Sequence, residues 1–144
     1  MINIAFIKNG QIEHTVSPGD DSTYADGQII DGFLCKHFEV GVNLSEFSRV
    51  NYWDGSEWIT RVPKPNRYYD WETTSWALNS SRLQADIRST RNDLLLRTDY
   101  TQLPDSPVDA ALWVVYRQEL RDLPANLPID LDNSDNVVWP VPPS

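Results

Sequence analysis

The hydrophobic pattern of this chain changes period near Asn79, and that change constrains the fold more than any other feature. Before it, short apolar segments alternate with turn residues, which is typical of β-strands joined by tight turns. After it, apolar residues recur every three or four positions, which is typical of amphipathic helices. A chain of 144 residues is long enough to bury a core. The sequence therefore predicts an α+β fold: a small β-rich N-terminal region of hairpins over residues 1–78, then an antiparallel helical hairpin with an extended Pro-rich C-terminal tail over residues 79–144.

The β-rich region begins with a strong hairpin signal. Asn9-Gly10 separates two strand-like segments, Ile2–Lys8 and Gln11–Val16, and both central residues of a type I′ turn need positive φ. Alternation places three apolar side chains of the first segment on one face: Ile2, Ile4 and Phe6. The next predicted elements are a loop at Ser17–Ser22, strands at Ile29–Ile30 and Phe33–Val40, and a helical turn at Asn43–Phe47 capped by Asn43.

An aromatic repeat follows, in which Tyr52–Trp58 and Tyr69–Trp76 each place two Trp five positions apart. We predict two small hairpins, with turns at Asp54-Gly55 and Thr73-Thr74. The four Trp form either a stacking platform for a sugar receptor or cross-strand pairs that hold the hairpins together. The second interpretation is favoured, with one or two Trp exposed as protein-binding anchors. The candidate partner-binding residues are Trp53, Trp58, Tyr69, Trp71 and Trp76.

Two helices are predicted in the second half. Ser81 is expected to start the first one, because Gln84 completes a capping box, and Thr98 is expected to end it. Ser106 and Pro107 are expected to start the second, as cap and first helical residue. The predicted apolar positions are Leu83, Ile87 and Leu94 in the first helix and Leu112, Trp113, Tyr116, Leu120 and Leu123 in the second, covered by the tail Val137–Pro143.

Charge and cysteine content exclude several classes of protein. A formal net charge of −9 disfavours phosphate-based nucleic-acid binding and anionic membrane surfaces. No stretch of about 18 apolar residues predicts a membrane span. The N-terminal segment lacks the features of a signal peptide, and the lone Cys35 has no partner for an internal disulfide. We therefore expect the chain to fold in a reducing cytoplasm.

The sequence contains no recognisable catalytic or metal-binding motif, so no catalytic, cofactor-binding or metal-binding residue is predicted. Cys35 and His37 lie two positions apart in a predicted strand, and a buried thiol beside a structural His is favoured over a nucleophile–base pair. A glycosidase would need a carboxylate pair, for which Asp54 and Asp70 are the candidates. Three acidic residues resemble part of a calcium loop but lack its central Gly and closing Glu, which favours a solvated loop: Asp130, Asp132 and Asp135.

The second half resembles a known family. Over residues 92–143 the chain carries, in order, Leu94–Asp105, Trp113, Tyr116–Pro124 and Val138–Pro143. This string resembles the C-terminal module of bacteriophage tail assembly chaperones, also called tail fibre assembly proteins, with Tyr100 in place of the usual Trp. The resemblance continues more loosely back to residue 69. The motif residues, which we expect to be structural, are Thr98, Asp99, Tyr100, Leu103, Pro104, Asp105, Trp113, Tyr116, Arg117, Trp139 and Pro140.

The resemblance implies a non-enzymatic phage tail protein. Its expected role is to bind the tail fibre, at the fibre's C-terminal tip, and to assist folding or assembly. The alternative is a permanent structural component of the tail: a fibre-tip cap, a baseplate attachment or a receptor-contacting module. Either role implies tail fibre or other tail and baseplate proteins as partners, an oligomeric state set by a trimeric or six-fold partner, and no cofactor. The expected location is the host cytoplasm during assembly and then the virion tail.

Overall fold

The computed structural model describes residues 2–17 and 23–144. Over these described residues it confirms the α+β class, with 35% helix and 26% strand. The chain forms two compact units: unit 1 comprises Met1–Pro65 and Trp71–Ala77, and unit 2 comprises Asn66–Asp70 and Leu78–Ser144. Among the described residues, no helix has both the length and the apolar character needed to cross a membrane. Most of the predicted loop at Ser17–Ser22 lies outside the described residues.

Unit 1 is built on a four-stranded antiparallel sheet with the order β2-β1-β4-β3. Its strands are β1 (Ile2–Lys8), β2 (Gln11–Val16), β3 (Ile29–Ile30) and β4 (Phe33–Glu39). The Asn9-Gly10 turn is confirmed: both residues have positive φ, 51° and 76°, and Lys8 pairs with Gln11 across it. A second such turn at Asp31-Gly32 joins β3 to β4.

The alternation predicted for β1 is confirmed by burial. Ile4 and Phe6 form a buried cluster with Cys35, and Ile2 packs against it. Ala5 and Ile7, which alternation places on the opposite face, are also buried. Residues on both faces of β1 are therefore buried.

Short elements follow the sheet. Helix α1 spans Leu44–Val50, and the predicted cap is confirmed because the Asn43 side chain accepts a hydrogen bond from the Glu46 N–H at 3.1 Å. Two hairpins follow: β5 (Asn51–Trp53) with β6 (Trp58–Thr60), and β7 (Tyr69–Glu72) with β8 (Ser75–Leu78). Both hairpins were predicted from the aromatic repeat.

Unit 2 contains α2 (Ser80–Arg97), a short 3-10 helix (Asp99–Gln102) and α3 (Ala110–Asp122). The predicted N-terminus of α2 is wrong by one to two residues. Asn79, not Ser81, is the cap, because its side chain accepts the Arg82 N–H at 3.0 Å.

The predicted start of α3 is also wrong. Asp109 caps the helix by accepting the Ala111 N–H at 3.0 Å, whereas Ser106 and Pro107 precede it in a turn. Along α3 the apolar stripe is confirmed at Tyr116 and Leu120, which are buried, but Leu112 is exposed. Here the helix begins later than the sequence suggested, because several residues in this segment have capping propensity.

The core of unit 2 is organised around Tyr68, which the sequence did not single out. Tyr68 is fully buried, and its cluster includes Leu83, Ile87 and Val137. Its hydroxyl lies 2.8 Å from Asp86 Oδ2 and 2.6 Å from Ser134 Oγ. The C-terminal tail covers this core in part. Val137 and Trp139 pack against it, whereas two other tail residues are largely exposed, Val138 and Val141.

Candidate functional site

The first aromatic hairpin, β5–β6, is held by its turn. The Asp54 carboxylate accepts the N–H groups of Ser56 and Glu57, each at 2.8 Å, and Gly55 has a φ of 111°. These hydrogen bonds hold the pKa of Asp54 below its ordinary value. Trp53 and Trp58 face each other directly across the strands, with ring centroids 5.4 Å apart in an edge-to-face arrangement.

Trp58 also packs within unit 1. Its ring lies 5.6 Å from Phe38 of β4 and 5.0 Å from Phe47 of α1, and those two rings are 5.1 Å apart. Aromatic contacts of this kind add stability beyond the area that they bury. Trp58 therefore joins the hairpin to the sheet and to α1.

Trp53 borders a cavity of unit 1. Its backbone N–H donates to the Gly10 carbonyl at 2.8 Å, and the Lys36 ammonium lies 4.9 Å from its ring centroid. The cavity has a volume of about 430 Å³ and is also lined by Ile29 and Leu34. Ile29 is 72% exposed, so one wall of this cavity is an accessible apolar side chain.

The second hairpin, β7–β8, carries the other Trp pair. Trp71 and Trp76 are edge to face at 5.1 Å, and Thr73 in the turn has a φ of 35°. Tyr52 lies 4.9 Å from Trp71, while the Trp76 Nε1–H donates to the Val62 carbonyl at 2.8 Å. The structure thus brings Trp71 and Trp76 together as a pair and ties each to another segment of unit 1.

All four Trp of the repeat are half-buried, so each presents part of its ring to solvent. Tyr69, the fifth candidate partner-binding residue, belongs to unit 2. Its hydroxyl donates to Asp132 Oδ2 at 2.9 Å, and this hydrogen bond raises the pKa of Tyr69. The contacts give every candidate a packing role, and partner binding by these five residues stays a prediction.

In unit 2, the family-like motif surrounds a buried arginine. Arg117 of α3 is only 8% exposed, and it donates to the Leu95 carbonyl at 2.7 Å and to Thr98 Oγ1 at 2.8 Å. Its other terminal nitrogen donates to Asp99 Oδ1 at 2.7 Å. Arg117 thus binds the C-terminal end of α2, where the helix dipole favours a cation.

Other motif residues divide between packed and exposed positions. Trp113 and Tyr116 are edge to face at 5.6 Å, and Trp139 lies against the Tyr68 cluster. By contrast, Tyr100 is 51% exposed and Leu103 is 56% exposed. Pro104 and Asp105 are exposed as well, and Pro140 is half-buried. The structural role expected of the exposed members stays a prediction.

The residues considered for catalysis or metal binding have local structural contacts. Cys35 is fully buried, and burial raises the pKa of its thiol, whereas His37 Nε2 lies 2.8 Å from the Tyr24 carbonyl oxygen. Asp70 forms an ion pair with Arg82 at 3.0 Å.

The acidic loop also makes hydrogen bonds with other residues of unit 2. The Asp132 carbonyl accepts a hydrogen bond from Asn66 Nδ2 at 3.1 Å, and its carboxylate accepts the Tyr69 hydroxyl. Within residues 2–17 and 23–144, no cluster of His, Cys, Asp and Glu side chains has an arrangement suited to a metal ion.

The architecture is that of an α+β protein with two units, a Trp-rich β unit and a helical unit in which Tyr68 and Arg117 are buried. Residues 84–144 match the family model described as phage tail assembly chaperone protein. The match covers the C-terminal module in which the resemblance was noted. No curated protein and no solved structure matches the chain. The family match supports a role in phage tail assembly, through interaction with tail proteins, and favours a non-enzymatic role.

Proposed function

We propose that this protein binds a phage tail fibre, at the fibre's C-terminal tip, and assists its folding or assembly. The observation that carries the proposal is the match of residues 84–144 to the phage tail assembly chaperone family. Trimeric β-fibres assemble slowly, and their unfinished chains expose apolar surface and strand edges that aggregate. A protein that covers this surface needs complementary contacts and no catalytic group.

Unit 1 is proposed to select the partner. Trp53 and Ile29 border a cavity of about 430 Å³, and an accessible apolar side chain beside a half-buried Trp is suited to receive an apolar anchor of another protein. Unit 2 offers exposed apolar side chains as a further surface: Leu96, Tyr100, Leu103 and Leu112. The copy number of the bound protein would follow the trimeric symmetry of the fibre.

Co-expression with the C-terminal region of the fibre encoded by the same phage tests this proposal. The measured quantity is the yield of trimeric fibre in the supernatant, with and without the chain. Ile29→Ser is the test variant and Val40→Ser its control, because both residues are exposed and apolar in unit 1 but only Ile29 lines the Trp53 cavity. We expect the wild type and Val40→Ser to raise the trimer yield and Ile29→Ser to raise it less. Equal yields of trimeric fibre with and without the chain would contradict the proposal.

Counting this chain in purified virions by quantitative mass spectrometry then separates two fates of the complex. A fixed ratio to the fibre chains would make the protein a resident tail component. Its absence from virions, with its presence on fibre chains in infected cells, would make it an assembly factor that leaves. Absence from both would contradict a role at the fibre.

A further inference from the structure

Unit 1 contains a second cavity, of about 400 Å³, that is lined by positively charged side chains although the protein as a whole is negatively charged. Three cationic side chains line this Arg61 cavity: Arg49, Arg61 and Lys64. The chain has only 12 Lys and Arg against 21 Asp and Glu, with a net charge of −9. A quarter of its Lys and Arg therefore lies at one cavity, where the field favours an anion.

Only one of these three cations has a carboxylate partner among the described residues. Arg49 forms an ion pair with Glu46 at 2.6 Å, one helical turn earlier in α1. Arg61 and Lys64 form no ion pair with any part of the chain that the structure describes. Within the described chain, two positive charges at the cavity thus have no carboxylate partner.

Arg61 is held in place without being neutralised. Its Nη1 donates to the carbonyls of Ser48 and Arg49, at 2.9 Å and 3.3 Å, and its guanidinium lies 4.7 Å from the Trp71 ring centroid. Its Nε is buried with no hydrogen-bond partner in the described chain. Burial lowers the pKa of the guanidinium, although an arginine stays charged in proteins. This is a fixed, half-buried cation whose hydrogen-bond donors are only partly used.

The wall next to Arg61 is apolar and rigid. Val62 is 67% exposed, and its carbonyl accepts the Trp76 Nε1–H, which fixes the indole ring. The Lys64 ammonium lies 5.7 Å from the centroid of that ring. Pro63 and Pro65 on either side of Lys64 restrict the backbone. Cationic groups and an apolar surface therefore occur side by side in a preformed arrangement.

We propose that the Arg61 cavity binds an acidic side chain of a partner protein, with a neighbouring apolar side chain of the same segment lying on Val62 and Trp76. Charge complementarity argues for this occupant, because a carboxylate would bring a negative charge into a cavity lined by Arg61 and Lys64. The apolar wall argues for a protein segment over a small anion, which would leave Val62 and Trp76 uncovered. This inference rests on the proposed binding of a tail protein by unit 1, and it names the chemistry of that recognition.

Nuclear magnetic resonance on the full-length, isotope-labelled protein tests the inference with two peptide probes, acetyl-Leu-Asp-Leu-amide and acetyl-Leu-Asn-Leu-amide. The reporters are the Arg61 Nε–H and the Trp76 Nε1–H signals. We expect the Asp peptide to shift both signals. The Asn peptide should bind about tenfold more weakly, because its neutral amide oxygen still accepts a hydrogen bond but carries no negative charge to pair with the cations. Added salt should weaken binding of the Asp peptide and leave binding of the Asn peptide nearly unchanged.

Two lysine variants provide the matched comparison. Lys64→Gln removes a charge at the Arg61 cavity, and Lys8→Gln removes one elsewhere in unit 1, where Lys8 lies over Phe33. Lys64→Gln should lower the affinity for the Asp peptide about threefold, as expected for a partly exposed ion pair. Lys8→Gln should leave that affinity unchanged. Arg61→Lys should weaken it more, because lysine cannot keep the planar donor arrangement. Folding of each variant is checked from the remaining spectrum.

Three results would overturn the inference: equal affinity for the two peptides, equal effects of Lys64→Gln and Lys8→Gln, or shifts confined to residues outside the Arg61 cavity. Inorganic phosphate that shifts the same signals at lower concentration than the Asp peptide would assign the cavity to phosphate groups and overturn it too. None of these results bears on whether the chain raises the fibre trimer yield, which the co-expression experiment measures separately.

Discussion

Replacing Arg117 with leucine tests whether the buried arginine orders the helical unit. Its side chain is 8% exposed and donates to the Leu95 carbonyl, Thr98 Oγ1 and Asp99 Oδ1, all within 2.8 Å. Arg117→Leu keeps an apolar stem of similar reach but removes every one of these donors. The Leu95 carbonyl would keep its hydrogen bonds from Thr98 but lose its charged donor, and Thr98 Oγ1 and Asp99 Oδ1 would lose theirs.

The expected cost follows from the exposure of each acceptor. Asp99 has a side chain that is 58% exposed, so its ion pair contributes no more than about 1 kcal/mol. The Leu95 carbonyl and Thr98 hydroxyl are less accessible, and losing a charged donor there costs about 1.5–3 kcal/mol. We therefore expect Arg117→Leu to lower the free energy of unfolding by about 3 kcal/mol.

Urea unfolding followed by far-ultraviolet circular dichroism measures this effect, because the two long helices lie in unit 2. A loss of 3 kcal/mol corresponds to a midpoint shift of about 1.5 M urea when the slope is about 2 kcal/mol/M. Arg121→Leu, on the same helix but exposed, is the control and should change stability by less than about 0.5 kcal/mol. Equal midpoints for the two variants would refute the role given to Arg117.

Three further predictions concern single side chains. Asn79→Ala should destabilise the protein by about 1 kcal/mol in urea, whereas Ser81→Ala should have little effect, because Asn79 is the cap of α2. The Asp26 carboxylate accepts a hydrogen bond from the backbone N–H of His37, which holds the pKa of Asp26 below its ordinary value. The ionised carboxylate therefore stabilises the fold above about pH 4, and this contribution is lost as the pH falls through the pKa of the folded state. Asp26→Asn should therefore flatten the acid limb of a stability profile measured by urea unfolding. Cys35 should react with a disulfide reagent at least about a hundredfold more slowly in the folded protein than in guanidinium, because its thiol is buried and its pKa raised.

Each of these predictions has a contrary outcome. Greater destabilisation by Ser81→Ala than by Asn79→Ala would place the cap at the position first expected from the sequence. An unchanged acid limb in Asp26→Asn would show that other carboxylates govern acid unfolding. Rapid labelling of the native Cys35 thiol would contradict the packing of the sheet core.

The elements that the sequence predicted well depend on local signals. The Asn9-Gly10 turn, the Asn43 cap and the Asp54-Gly55 turn each need only a few adjacent residues, and the structure places all three as expected. The starts of α2 and α3 were misplaced because several capping residues lie close together there. Asn79 and Asp109, not Ser81 and Ser106, make the capping hydrogen bonds.

The packed centres of both units were harder to predict, because they depend on contacts between distant residues. Tyr68 contacts Ser134, which is 66 positions away, and nothing in its local sequence indicates burial. Arg117 was expected to be a structural motif residue, but the sequence did not indicate that it is buried against the end of another helix. An arginine is rarely buried without partners, and periodicity alone does not identify those partners.

The most direct test of the account is to delete the gene in the phage that encodes it and to quantify fibre protein per particle by mass spectrometry. An assembly role at the fibre predicts particles or tails depleted in fibre, with fibre chains aggregated in the infected cell, and rescue by the wild-type gene supplied in trans. Normal numbers of fibres on particles formed in normal yield would contradict that role.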